Sequence, residues 1–223
     1  MREQQNRLDS ILKTIVIRSF WLIAICSIMI FNQPSSEATV AQKATVKSLV
    51  NQAQLILHVR VEDQWSPKSR GKQGEIYTYS RLKPLDVWAG TLNVPNVVLV
   101  QLGGSIGDLH LKVHGDAQLK VGDEAVLFLS SSPQSTLPVP ADKALTAYQT
   151  VHLISLAQGA FFVDPSHLQE DPHLKQNLDG LVFYSPQNDH LKLMHKAVDH
   201  EPTPLWTLRS LHERVNVLLG VQR

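Results

Sequence analysis

VVLVQLGGSIGDLHLKVH, residues 97–114, decides between two kinds of fold. Gly103, Ser105 and Gly107 match G-x-S-x-G, the nucleophile elbow of serine hydrolases, where a strand enters a strained turn and a helix leaves it. Val97 to Leu102 could be that strand. No helix follows Gly107. Leu109, Leu111 and Val113 alternate with His110, Lys112 and His114, the period of a strand with one buried face. Glycines between two strands have another use: they allow positive φ and close backbone approach where the chain doubles back. The stretch therefore reads as strand, glycine connection, strand, and points to a mainly β fold. Ser105 remains the candidate nucleophile of the alternative, an exported serine hydrolase with a later histidine as its base.

The flanking sequence continues the same pattern. Leu55, Leu57, Val59 and Val61 alternate with Ile56, His58, Arg60 and Glu62, which predicts a half-buried strand. Ile76 to Trp88 is strand-like, with Tyr77 and Tyr79 on one face. Pro84 cannot donate a ladder hydrogen bond, so it marks an edge or a bulge in that run. After the Gly122-Asp123 turn, Ala125 to Leu129 is almost wholly apolar, as expected of a central strand. Tyr148 to Leu156, Gly159 to Val163 and Leu181 to Tyr184 are further strands. Ser130 to Pro140, SSSPQSTLPVP, is a connection rich in Ser and Pro. Pro165 to Gly180 reads as a long polar loop.

Two amphipathic helices bracket the strands. Lys43 to Gln54 places Val46, Leu49, Val50 and Ala53 at helical spacing. Thr203-Pro204 reads as a helix start, and Leu205, Leu208, Leu211, Val215 and Leu218 form one apolar face. The expected architecture is a small β-barrel, OB-like, or a sandwich, with a short N-terminal helix and a C-terminal amphipathic helix packed on the sheet. The domain plan is a signal peptide over 1–38, a β-rich domain over 39–202 and the helix over 203–223.

The N-terminal plan rests on charge followed by apolarity. Arg2, Arg7, Lys13 and Arg18 precede the apolar runs Phe20 to Ile25 and Ile28 to Phe31. That core spans about a dozen residues, short of the roughly 20 that cross a bilayer as a helix. Ser36 and Ala38 place small residues for cleavage after Ala38, with Ala41 a second site. The reading is an exported chain, periplasmic or secreted; an uncleaved N-terminal anchor is the alternative, and only then is a membrane a partner. Cys26 follows bulky Ile25, which does not suit lipid modification. It is the single cysteine, so a chain starting at Thr39 has no thiol chemistry and no disulfide.

From Thr39 onward the chain carries seventeen Lys+Arg and seventeen Asp+Glu. This neutrality argues against nucleic acid, because phosphate binding needs basic excess. Among the ten histidines, His110 and His114 would lie roughly 13 Å apart along a strand, too far to share an ion. His190, His195 and His200 recur every five residues, a spacing that suits neither a strand face nor a helix face. No motif implies a metal or a cofactor. Trp65, Tyr77, Tyr79 and Trp88 could line a groove for a peptide or a glycan; the alternative is ordinary core packing.

The succession LILHVRV (55–61), DVWAG (86–90), VVLVQLGG (97–104) and VGDEAVLFL (121–129), with Ala157-Gln158-Gly159 further on, resembles a group of uncharacterised exported bacterial β-rich proteins. The strand order is also remotely similar to the OB-type barrel of netrin and metalloprotease-inhibitor modules. Those modules carry N-terminal cysteines that this chain lacks. The resemblance implies a β-barrel and export, and it brings no catalytic residue. The function expected is an exported binding or interaction module of the bacterial envelope, with a protein or glycan partner.

Overall fold

A computed structural model describes residues 39–67, 75–131, 147–166, 170–184 and 205–221. In chain order the elements are β1 (Thr39–Gln42), α1 (Val46–Gln52), β2 (Leu55–Trp65), β3 (Tyr77–Ala89), β4 (Asn96–Leu102), β5 (Gly104–Ile106), β6 (Leu109–Leu111), β7 (Glu124–Ser131), β8 (Tyr148–Leu153), a 3-10 turn (Leu156–Gly159), β9 (Ala160–Val163), β10 (Leu174–Lys175), β11 (Leu181–Tyr184) and α2 (Leu208–Leu219).

The main sheet runs β10-β9-β7-β2-β3-β4-β8, and β8 pairs back onto β7. Strands β7, β2, β3, β4 and β8 therefore close on themselves as a five-stranded barrel, and the sandwich alternative does not apply. Pairing is antiparallel around the ring except between β4 and β8, which run parallel.

Alternation along the strands fills the barrel. Leu57, Val59 and Val61 of β2, Leu82 of β3, Val97 and Leu99 of β4, and Leu127 and Leu129 of β7 share one core, all nearly inaccessible. The opposite faces of β2 and β7 are also covered. Ile56, Val126 and Phe128 pack against Leu49 and Val50 of α1, Phe161 of β9, and Leu211 and Val215 of α2. Burial on both faces is why Ala125 to Leu129 is apolar at every position. Pro84 sits at a bulge: His58 faces Asp86 and Val59 faces Pro84, leaving Leu85 as the extra residue. Such a bulge bends a long strand around a barrel.

Four expectations change. The predicted fourth strand is only β6, which pairs with β5 as a separate two-stranded hairpin. Leu109 and Leu111 are exposed, because the barrel position beside β4 belongs to β8, and the hairpin forms a separate sheet. The C-terminal helix starts later than Thr203-Pro204, which lie outside the described residues. Its N-cap is Thr207, whose hydroxyl accepts from Ser210 N while Ser210 Oγ accepts from Thr207 N, a reciprocal cap. Leu205 precedes the helix and is 84% exposed, so the buried stripe consists of Leu211 and Val215, with Leu208 and Leu218 partly covered. The first helix is shorter than 43–54, capped by Thr45. The loop before Gly180 contains β10, and β11 pairs in parallel with β1, a strand too short to show a period of its own.

Candidate functional site

The aromatic residues separate into two places. Trp65 ends β2 and faces Tyr79 of β3; their rings stack with centroids 5.8 Å apart. Tyr77, two residues before Tyr79 and on the same strand face, lies 6.4 Å from it, centroid to centroid. Val98, whose neighbours Val97 and Leu99 point into the barrel, turns outward beneath these rings; Val100 and Tyr148 complete the group. The cluster is therefore on the barrel's outer surface. Its members sit at strand ends: Trp65 is the last residue of β2, Tyr77 the first of β3 and Tyr148 the first of β8. Trp65 and Tyr79 are buried, whereas Tyr77 and Tyr148 keep part of their rings accessible. Burial, and secondly the neighbouring Tyr77, pushes the Tyr79 hydroxyl above its usual range, so it remains a neutral hydrogen-bonding group. Tyr148 is not legible as a member from sequence, because nothing local places it beside residues some seventy positions earlier.

Trp88 is elsewhere. It lies under α2, where His212 stacks on its indole at 4.5 Å with planes 13° apart, and its Nε1 donates to Asp86 Oδ2 at 3.1 Å. A cleft of about 200 Å³ opens beside it, between His58, Asp86, Glu170, Asp171 and His212. His58 Nε2 is 2.8 Å from Glu124 Oε1, and Arg60 donates to Glu124 Oε2 at 2.7 Å. Burial raises the Glu124 carboxyl, but the hydrogen bonds from Arg60 and His58 outweigh it and hold the group below its usual range. These contacts tie β2 to β7. Among the described residues no serine, threonine or cysteine lines the cleft, so the His58–Glu124 pair has no nucleophile there to activate.

Ser105 lies on the hairpin. Its Oγ is 2.7 Å from His110 Nδ1, its cross-strand neighbour. Both are exposed. Gly103 and Gly104 have φ of +107° and +127°, and Gly107 has φ of +58°, so the glycines serve the backbone turns expected of them. The next element is β6 and not a helix, so the elbow's oxyanion-binding helix terminus is missing from this position. Among the described residues no carboxylate hydrogen-bonds the His110 ring.

His114 lies in the turn after β6 and not on the strand with His110; His190, His195 and His200 lie outside the described residues. Among the described residues no three His, Cys, Asp or Glu gather as a metal site, and no helix is long and apolar enough to cross a membrane. A second depression, about 410 Å³, lies between the end of β1, α1 and the 3-10 turn. Buried Gln158 closes it from below: its Oε1 accepts from Ala44 N at 2.6 Å and its Nε2 donates to Gln42 O at 3.1 Å. The Ala157-Gln158-Gly159 run thus joins the turn to the first strand.

No family model matches this chain, and no curated protein matches it in sequence.

Proposed function

We propose that the chain is an exported binding module of the bacterial envelope, built on an OB-type barrel, which takes a neutral glycan on its outer aromatic face. The strand circuit supports the barrel type. In order around the ring the strands are first, second, third, fifth and fourth, with third and fifth parallel. OB-type barrels bind oligosaccharides and oligonucleotides on the face of their second and third strands, beside the first and fourth inter-strand loops. The observation that carries the proposal is the Trp65–Tyr79–Tyr77–Tyr148 cluster at that place. Its members are uncharged, and the balanced charge from Thr39 onward disfavours a polyanion. Aromatic faces with hydroxyl tips suit the apolar faces and hydroxyls of sugar rings.

Titration calorimetry of the full chain against envelope glycan fragments tests this. Tyr77→Ala should weaken binding about tenfold or more, as expected for an aromatic anchor, without changing the melting temperature by more than about 2 °C. Binding of peptides instead of glycans would identify a protein partner. Absence of any saturable ligand would leave a structural component of the envelope. Mass spectrometry of the processed chain tests export, with an N-terminus at Thr39 expected.

The serine-hydrolase reading rests on the 2.7 Å contact between Ser105 and His110. Labelling of Ser105 by an activated-serine probe would favour it over the binding module.

A further inference from the structure

We propose that the β5–β6 hairpin joins two copies of this chain, through antiparallel pairing of β6 with β6 of a partner subunit about a twofold axis at His110.

Backbone geometry supplies the first argument. Gly107 and Asp108 form the hairpin's two-residue turn, flanked by the pair Ile106 and Leu109. In such a hairpin the flanking pair exchanges hydrogen bonds, and the next pair, Ser105 and His110, does not. The N–H and C=O of His110 therefore point away from β5. Asp108 belongs to the turn and Lys112 follows the strand's last residue, so these two meet a partner through their side chains. Among the described residues no strand occupies that side of β6, so His110 offers one donor and one acceptor to an antiparallel strand. A twofold axis at His110 lets the two copies exchange both bonds.

The sequence around this axis is self-complementary. In Asp108-Leu109-His110-Leu111-Lys112, an antiparallel partner centred on His110 sets Asp108 against Lys112 of the partner subunit, and Lys112 against the partner's Asp108. Two opposite-charge pairs result and no like-charge pair. The same register places Leu109 beside the partner's Leu111, twice. Leu109 is 48% and Leu111 39% exposed, with Leu102 at the hairpin's base 45% exposed. Pairing covers these apolar side chains and both open edges together, the usual resolution of an exposed apolar edge strand. A twofold contact makes such an interface self-closing. Five residues a side form a small contact, so the dimer is of the weak, reversible class.

Cross-linking in the full chain tests both the occupant and the register, after Cys26→Ser removes the native thiol. A hydrogen-bonded antiparallel pair has Cα atoms about 5.5 Å apart, within disulfide range. His110→Cys should therefore give a covalent dimer under mild oxidation. Asp108→Cys would lie roughly 13 Å from its counterpart, four residues out of register, and Ser105→Cys about 14 Å away across three strand spacings; neither should cross-link. Adding Asp108→Lys to His110→Cys should lower the yield about fivefold by turning two attractive pairs repulsive, and adding Lys112→Asp should restore it. Sedimentation of the chain with His110 intact should show concentration-dependent association that Asp108→Lys abolishes and the double reversal restores. Equal cross-linking at all three positions, a monomer at every concentration, or capture of a different polypeptide at His110→Cys would each overturn the proposal.

Discussion

Alanine at Gly104 tests the view that the glycines of residues 103–107 serve the backbone and not an active serine. Gly104 has φ of +127°, and a Cβ there would lie 2.4 Å from Thr78 Oγ1 and 2.9 Å from Ser66 Oγ. The Thr78 hydroxyl also donates to Gly103 O at 2.9 Å, so moving it aside breaks a bond that holds the turn. A side chain forced into this glycine-only region costs about 1–3 kcal/mol, and the lost hydrogen bond about 1 kcal/mol more. With roughly 2–4 °C per kcal/mol for a domain of this size, about 3 kcal/mol becomes a drop of about 6–12 °C. Gly107→Ala meets no atom within 4 Å and suffers only from its φ of +58°, about 1 kcal/mol. Ser105→Ala loses one exposed hydrogen bond and should stay within about 0.5 kcal/mol of the parent. Differential scanning calorimetry of the three variants should therefore rank Gly104→Ala far below Gly107→Ala, and Ser105→Ala beside the parent. A Gly104→Ala melt that coincides with the parent would refute the steric argument. Loss of genuine ester turnover in Ser105→Ala, with its stability intact, would restore the nucleophile.

Leu211, on the inner face of α2, is fully buried, so Leu211→Ala should cost about 2–5 kcal/mol. Val217→Ala, on the 68% exposed side of the same helix, should change urea midpoints hardly at all; equal effects would mean that α2 does not dock. The Glu124 carboxyl titrates below its usual range, so its stabilisation is present above the ordinary carboxylate range and is lost as pH falls through the folded-state value. Glu124→Gln should cost about 1 kcal/mol at pH 7, since Arg60 is half exposed and screened. That gap, measured by chemical denaturation, should close as pH falls through the lowered folded-state value of Glu124; a gap constant with pH would show that the Arg60 and His58 contacts do not depend on charge.

Local patterning determined the class of this fold. A strand with one face in a core must alternate, so β2 was legible from Leu55 onward; the unbroken run 125–129 announced a strand covered on both sides. Pro84 signalled its bulge because a missing donor is a property of the residue itself. Closure of the ring was not legible, since it depends on β8 pairing with both β4 and β7, contacts set by the shape of the whole sheet. The sequence likewise could not tell that Leu109 and Leu111 face solvent, because a period-two run looks the same whether or not a sheet awaits it. The aromatic set shows the limit most clearly. Trp65, Tyr77 and Tyr79 come together because β2 and β3 pair in one register. Trp88 lies nine residues beyond Tyr79, about 30 Å along the strand, past a bulge at Leu85 that reverses which residues face outward. It therefore ends under a helix that is more than a hundred residues away in the chain. Composition and period are properties of neighbours in sequence, whereas register, bulge and cover depend on which distant segments the chain folds against.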